Sequence, residues 1–146
     1  MKKILICLII VLVATTIAVS MWISGNNTKL AKIKENNQKY EIYLDKEVFG
    51  TDVTTVINKA IDDNEKREIP KDEKGFFIQN DTNSIKVELV MLNGESKETY
   101  QMETLNKVGL SGFIKNFNLI NFKCSKIEYH DKTKLISKII FEQTEE

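Results

Sequence analysis

Cys124 and His130 are the residues in this sequence whose types best suit nucleophilic catalysis, in which a thiol is activated by a neighbouring base. Both fall on one predicted strand, six positions apart. A strand rises about 3.3 Å per residue, so roughly 20 Å separates the two side chains. A nucleophile and its base must lie within hydrogen-bond distance. We therefore expect a core cysteine and a histidine at a strand end.

Three neighbouring carboxylates, Asp62, Asp63 and Glu65, have the composition of a metal or acid–base site. They cluster beside Lys66 and Arg67 near the predicted end of a helix. A solvated face of alternating charges accounts for such a cluster without any ligand. We expect these residues to lie on such a solvated face.

Two short motifs resemble binding loops but lack the residues that binding needs. Asp81-Thr82-Asn83 opens like a calcium loop, yet the sixth position, which requires glycine, is Lys86, and the twelfth, which requires glutamate, is Leu92. Gly109-Leu110-Ser111-Gly112 is a G-x-x-G without the Walker or dinucleotide pattern around it. The sequence thus predicts no catalytic, cofactor-binding or metal-ligating residue, and we expect a protein that is not an enzyme.

The clearest helix begins near Gly50, with Thr51 or Asp52 as its cap. Its apolar residues recur at helical spacing and predict one buried face. These residues are Val53, Val56, Ile57, Ala60 and Ile61. The helix is expected to fray over residues 64–67, because Pro70 disfavours helix before it.

Strands dominate the second half of the chain. The pattern predicts a short strand Gly75–Gln79, a strand Ile85–Leu92, a hairpin turn at Asn93-Gly94 with a polar edge strand Glu95–Gln101, a broken helix pair within Glu103–Phe117, and a second hairpin formed by Phe122–His130 and Lys134–Glu142. This order predicts an α+β fold: a mostly antiparallel sheet with helices packed on one face.

The segment Ile4–Ile23 contains twenty residues without a charge or a proline. As a helix it would extend about 30 Å, the hydrocarbon thickness of a bilayer. Met1-Lys2-Lys3 before it is typical of an export signal. Residues 1–24 are therefore predicted to be a transmembrane anchor with a cytoplasmic N-terminus, or else a signal peptide cleaved after Ser20.

Residues 25–45 are predicted to form a short helical stalk. Gly25–Thr28 is turn-like, and a helix from about Lys29 would carry a narrow stripe. The stripe consists of Leu30, Ile33, Asn37, Tyr40 and Leu44. It either pairs two copies as a coiled coil, with Asn37 as the register residue, or rests on the chain's own domain. Two heptads are few for an isolated coiled coil, which favours the second alternative.

The run GTDVTTVINKAID at residues 50–62, placed after an N-terminal anchor, resembles small uncharacterised single-pass membrane-anchored proteins of low-GC Gram-positive bacteria. The resemblance covers about a dozen residues and a shared layout. It implies a cell-envelope location. It implies no activity, and no functional residue is carried over from it.

Charge restricts the kinds of partner. The chain has 21 basic and 21 acidic residues, without the basic excess of a nucleic-acid-binding domain. We expect no nucleic acid and no cofactor. The predicted partners are membrane lipid, through residues 4–23, and another envelope protein or a second copy of the chain.

These observations predict a non-enzymatic, membrane-anchored interaction module, such as an accessory subunit of a cell-envelope assembly. Residues 46–146 would be its small extracytoplasmic domain. Two alternatives stay open. One is a secreted ligand-binding or inhibitor-type domain released by cleavage after Ser20, and the other is an envelope enzyme whose carboxylates are scattered in sequence but close in space.

Overall fold

The computed structural model describes residues 2–94 and 96–144. The chain divides into two compact units, Met1–Glu35 and Asn36–Glu146. Helix α1, Lys2–Glu41, accounts for the described part of the first unit, and the second unit contains a five-stranded sheet with helices. The predicted α+β class with a long N-terminal apolar helix is confirmed.

Helix α1 runs without a break through residues 25–28, so the turn predicted there is wrong. The Thr28 hydroxyl donates to the backbone carbonyl of Ser24 at 2.9 Å, within the helix, and does not act as a cap. One glycine in a helix interior costs only about 1 kcal/mol. The long apolar helix before Gly25 therefore continues through it.

After the end of α1, the described part of the second unit contains one strand, one helix, two strands, two helices and two strands, in that order along the chain. The elements are β1 (Glu47–Phe49), α2 (Gly50–Lys66), β2 (Lys86–Asn93), β3 (Ser96–Gln101), α3 (Met102–Val108), α4 (Leu110–Phe117), β4 (Asn121–Tyr129) and β5 (Ile136–Gln143). The strand order across the sheet is β1-β4-β5-β2-β3. The β2–β5 pair is parallel and the other pairs are antiparallel.

Both predicted hairpins are confirmed. Strands β2 and β3 pair up to Asn93 opposite Ser96, with Gly94 between them in the left-handed conformation that glycine tolerates. Strand β3 lies at an edge of the sheet, as its polar composition predicts. The broken helix pair is also confirmed, because Gly109, with φ of 95°, separates α3 from α4.

The strand predicted at Gly75–Gln79 is wrong. An isolated bridge between Lys71 and Phe77 is the pairing found there. The Phe77 backbone N–H donates to Oε1 of Glu103 at 3.2 Å, so a side chain takes the place that a neighbouring strand would fill. Residues 67–85 are therefore a long connection between α2 and β2.

One face of α2 closes the core. Val53, Val56, Ile57 and Ala60 are completely buried, as their spacing predicts. The remaining buried apolar residues are Tyr40, Ile69, Phe77, Ile85, Val87, Leu89, Met102, Leu105, Phe113, Phe122, Cys124, Ile136, Ile139 and Phe141. They come from the end of α1, the long connection, α3, α4 and the facing sides of the three strands β2, β4 and β5.

Helix α2 begins at Gly50, as predicted, but its N-cap residue is Phe49 and is neither Thr51 nor Asp52. Asp52 accepts a hydrogen bond from the Phe49 backbone N–H at 3.3 Å through Oδ2. A Cβ at residue 50 would collide with the carbonyl oxygen of Phe117 at the end of α4. Glycine is required at residue 50 because α4 approaches so closely.

Asn37 joins the end of α1 to the start of β5. Its Nδ2 donates to the Lys134 carbonyl at 2.8 Å, and its Oδ1 accepts from the Ile136 N–H at 3.1 Å. The side chain is buried. Its amide is thus bonded within the chain's own domain, which is the second of the two alternatives for the stripe.

Asn64 makes the same kind of bond at the other end of the core. Its Nδ2 donates to the Ile85 carbonyl at 2.7 Å, and its Oδ1 accepts from the Ile85 N–H at 2.8 Å. The residue is fully buried in the last turn of α2. The helix ends at Lys66, inside the range 64–67 where its end was predicted, and this amide ties the helix end to the residue that precedes β2.

Replacing Asn64 with alanine would leave the buried N–H and carbonyl of Ile85 without partners. An unsatisfied buried group costs about 1–3 kcal/mol, so we expect Asn64→Ala to lower the free energy of unfolding by about 3 kcal/mol. Denaturant unfolding of the full chain in detergent micelles measures this. Asn58→Ala, at an exposed position of α2, is the control and should change stability by less than about 0.5 kcal/mol. Equal losses in the two variants would contradict the role of Asn64.

Candidate functional site

Cys124 lies in the core of β4, opposite Phe141 of β5, and is completely buried. Burial raises the pKa of its thiol to about 11, and the nearby carboxylate of Asp45 adds to the rise. A thiol with such a pKa stays protonated at neutral pH. Because the thiolate is the nucleophile, Cys124 is placed as a small apolar side chain.

His130 closes the hairpin between β4 and β5. Its Nε2 lies 2.8 Å from the Ser84 carbonyl; since a carbonyl only accepts, Nε2 carries the proton. The His130 N–H donates to the Leu135 carbonyl, and the Lys134 N–H donates to the His130 carbonyl. The contacts described for His130 do not include Cys124, so the structure does not bring the two together as a catalytic pair.

The carboxylates Asp62, Asp63 and Glu65 are all paired. Asp62 lies 3.9 Å from Lys66, and Glu65 lies 2.9 Å from Lys71. Asp63 is paired with Lys39 and Arg67 instead, so the three carboxylates share no cationic partner in these ion pairs.

Asp63 ties the end of α1 to α2. Its Oδ2 accepts from the Tyr40 hydroxyl at 2.8 Å, and it lies 2.7 Å from Lys39 and 3.6 Å from Arg67. Burial raises the pKa of the Tyr40 hydroxyl, and the charge of Asp63 raises it further. These contacts make the cluster a structural junction.

The segment predicted to resemble a calcium loop is an Asn-centred turn. Oδ1 of Asn80 accepts from the backbone N–H groups of Thr82, Asn83 and Ser84 at 2.8–3.2 Å. Asp81 lies 3.4 Å from Lys132 across the surface. Within residues 2–94 and 96–144, no group of three or more His, Cys, Asp or Glu side chains is arranged to hold a metal ion.

The G-x-x-G segment lines an apolar cavity of about 270 Å³ beneath α3 and α4. Its apolar walls come from Met91, Leu105, Phe113 and Phe117. Gly109 joins α3 to α4, and both Gly109 and Gly112 line this cavity.

The described apolar side chains of the membrane-compatible segment include a long series of exposed ones. These are Ile4, Ile6, Ile9, Ile10, Val11, Leu12, Val13, Ile17, Val19, Met21, Trp22 and Ile23. Helix α1 is long and apolar enough to cross a bilayer, a property shared with N-terminal signal sequences. Such a surface is stable in lipid and unfavourable in water.

The three polar side chains of this segment form hydrogen bonds within the helix. The hydroxyls of Thr15, Thr16 and Ser20 donate to carbonyls three or four residues earlier, at 2.8–2.9 Å. An unsatisfied hydroxyl in hydrocarbon would cost several kcal/mol. The hydroxyls are therefore compatible with a single-pass anchor.

The sheet face opposite the core, here called the open face, carries alternating charges. Its members include Glu47 of β1, Lys86, Glu88, Val90 and Leu92 of β2, Lys97, Thr99 and Gln101 of β3, Lys123, Lys126 and Glu128 of β4, and Lys138, Ile140 and Glu142 of β5. Five lysines thus stand against four glutamates. Apart from the five lysines and one glutamate of residues 1–35, the chain has 16 basic and 20 acidic residues, so the open face carries a small positive excess on an acidic domain.

Glu88 is the centre of the open face. Its Oε1 lies 2.7 Å from Lys86 and its Oε2 lies 3.3 Å from Lys138 of the parallel neighbour β5. Partial burial alone would raise the pKa of Glu88, but hydrogen bonds and charge from the two lysines outweigh it and lower the pKa. The carboxylate holds together two lysines that face each other across the β2–β5 pair.

A surface groove of about 560 Å³ borders this cluster. Lys86, Lys132 and Lys138 line it together with Asp81, Glu128 and Asp131. Glu128 pairs with Lys126 at 2.7 Å, and this hydrogen bond lowers the pKa of Glu128. The groove is thus lined by charged groups of both signs.

The predicted strand Ile85–Leu92 contains Lys86 and Glu88, but its local pattern does not reveal the cluster that they form. The missing information was the parallel pairing of β2 with β5, which brings Lys138 to Glu88 across 50 residues. Glu103 was missed too, because nothing in its sequence neighbourhood marks a buried carboxylate.

Comparison of the chain with protein-family models, with curated proteins and with solved structures gives no significant match.

The lowered pKa of Glu88 predicts a pH-dependent contribution to stability. A carboxyl group whose pKa is lower in the folded chain stabilises the fold above its usual pKa of 4.5, and this contribution is lost as the pH falls through the lower, folded value. We expect Glu88→Gln to be less stable than the native chain at pH 7, with the difference shrinking below about pH 4.5.

Denaturant unfolding at several pH values measures that difference. Glu73→Gln, at an exposed position of the long connection, is the matched control. A Glu88→Gln deficit that is as large at pH 3 as at pH 7 would contradict the ion-pair role.

Proposed function

We propose that this protein is a membrane-tethered interaction module of the cell envelope. The supporting observation is the exposed apolar segment Ile4–Ile23, which fits a bilayer in length and has its polar groups satisfied internally. In this proposal the N-terminus is cytoplasmic and the domain lies outside. The domain acts by binding, as an accessory subunit of an envelope assembly.

The open face is the proposed binding surface. Val90, Leu92 and Ile140 form a half-buried apolar strip, and lysines and glutamates surround it. An apolar centre with a charged rim is the common anatomy of a protein interface. Because lysines outnumber glutamates on this face, the partner proposed is an envelope protein with an acidic patch.

Secretion is the second candidate. Ala18-Val19-Ser20 places small residues where a signal peptidase reads them. Cleavage there would remove most of the apolar segment and release the domain, which would then act as a soluble binding or inhibitor-type protein.

Intact mass separates tethering from secretion. We expect the chain in carbonate-washed membranes to have its full mass of 16.8 kDa, because the whole apolar segment stays in the bilayer. Recovery of a shorter chain beginning at Met21 in the medium would contradict tethering and support secretion. Addition of protease to intact cells reports orientation, since only an external domain is digested.

Site-specific crosslinking tests the open face. A photo-crosslinking amino acid at Ile140, in the full chain in the cells that normally make it, should give a discrete adduct with another envelope protein. The same amino acid at Thr55, an exposed position of α2, should not. Identical adducts from both positions, or none from Ile140, would count against the proposed interface.

Charge reversal shows whether the adduct depends on the lysines. Lys123→Glu with Lys126→Glu should reduce its yield several-fold, since rim charges control association. Lys59→Glu on α2 makes the same charge change as each of those two substitutions, and it should leave the crosslinking yield unchanged.

A further inference from the structure

The connection between α2 and β2 is unusually long for a segment without strands. Connections longer than about 12–15 residues are uncommon in compact domains, and ordered ones are often binding loops or lids. Residues 67–85 form such a segment, and their centre is ordered by its own hydrogen bonds. The Asp72 N–H donates to the Phe76 carbonyl, and the Ile78 N–H donates to the Pro70 carbonyl, each at 2.8 Å. Residues 70–78 are called the 70–78 loop below.

Glu103 of α3 is buried beneath the 70–78 loop with only 5% of its surface exposed. Oε1 accepts from the Phe77 N–H at 3.2 Å. Oε2 is buried, and among the described residues it has no hydrogen-bond partner. A buried carboxylate oxygen without a donor is costly, so the position favours any ligand that supplies one.

A cavity of about 210 Å³ adjoins Glu103. It is lined by Ile61, Lys71, Gly75, Phe77, Glu103, Asn106 and Lys107. The carboxylate is buried whereas the two lysines are exposed, so the lysines stand on the solvent side of the cavity. The cavity thus has a carboxylate at its buried end and two ammonium groups at its exposed end.

Both lysines are held in place by neighbouring groups. The Lys71 ammonium lies 4.6 Å from the centre of the Phe77 ring and 2.9 Å from Oε1 of Glu65. The Lys107 ammonium lies 4.5 Å from the centre of the Phe76 ring and donates to the Lys74 carbonyl. An ammonium has three N–H donors, so these contacts position the lysines and still allow them to bind an anion.

The charges discriminate among ligand classes. A divalent metal needs several oxygen ligands, and here it would meet one carboxylate and two ammonium groups. A simple anion would meet the buried carboxylate. A small zwitterion matches both ends, and a cavity below the usual range of about 300–1,000 Å³ fits one of that size.

We propose that this cavity binds a free α-amino acid, with its ammonium group on Glu103 and its carboxylate between Lys71 and Lys107. Because Oε2 is shielded from solvent, the 70–78 loop moves aside to admit the ligand and closes over it. Ile61 and Phe77 contact the ligand's side chain. This site is separate from the open face and does not depend on the membrane tether.

Calorimetric titration tests the proposal. The twenty common L-amino acids are added one at a time to the full chain in detergent micelles, and at least one should bind saturably with one site per chain. The N-acetyl and the carboxamide derivatives of that amino acid should each bind at least about tenfold more weakly, because each lacks one of the two charges. If none of the twenty amino acids gives saturable heat, the cavity holds only water and the proposal fails.

Variants locate the binding. Glu103→Gln keeps the side-chain shape and removes the charge, so it should weaken binding at least about tenfold. Lys71→Met and Lys107→Met should also weaken it, while Lys126→Met on the open face should not. Should Glu103→Gln fail to fold, the lysine variants and the two derivatives decide, and unchanged affinity in all of them overturns the site. A loss of ligand binding leaves the crosslinking result at Ile140 unaffected, so the two proposals fail separately.

Discussion

Burial of one face of α2 against the sheet is the constraint on which the domain depends. Four apolar side chains of that helix are completely buried, and they pack on one side of a sheet of five strands. A single covering layer leaves the other side in water, where alternate residues must be polar. The lysines and glutamates of the open face follow from this arrangement. The same helix therefore determines both the apolar core and the charged surface proposed for binding.

Local patterns predicted the elements of this fold, and long-range contacts decided where the predictions failed. The spacing of Val53 to Ile61 and the turn at Asn93-Gly94 are local signals, and both were sufficient. Asn64 and Glu103 act through backbone groups 21 and 26 residues away, and no local pattern reveals such a bond. The strand predicted at 75–79 does not form for the same reason, because the Phe77 N–H donates to the distant carboxylate of Glu103. The spacing of Cys124 and His130 along one strand predicted that the two side chains would lie apart. No local pattern predicted which charged residues meet on the sheet.

The two units of the chain are stabilised by different solvents. The first unit hides its hydroxyls inside a helix and exposes its apolar side chains, which suits hydrocarbon. The second unit hides its apolar side chains and exposes paired charges, which suits water. If the helix is retained in the bilayer, each partner in the same membrane meets the domain at an effective concentration far above its average in the cell. Weak contacts at a charged face are then sufficient for association.

The place of β5 in the sheet has a consequence for biogenesis. Strand β5, Ile136–Gln143, follows the other strands in the described part of the sequence, yet it lies at the centre of the sheet, between β4 and β2. Without it the remaining strands form two separate pieces, β1 with β4 and β2 with β3, and short pieces of sheet are only marginally stable in water. The five-stranded sheet therefore cannot form until Ile136–Gln143 has been synthesised.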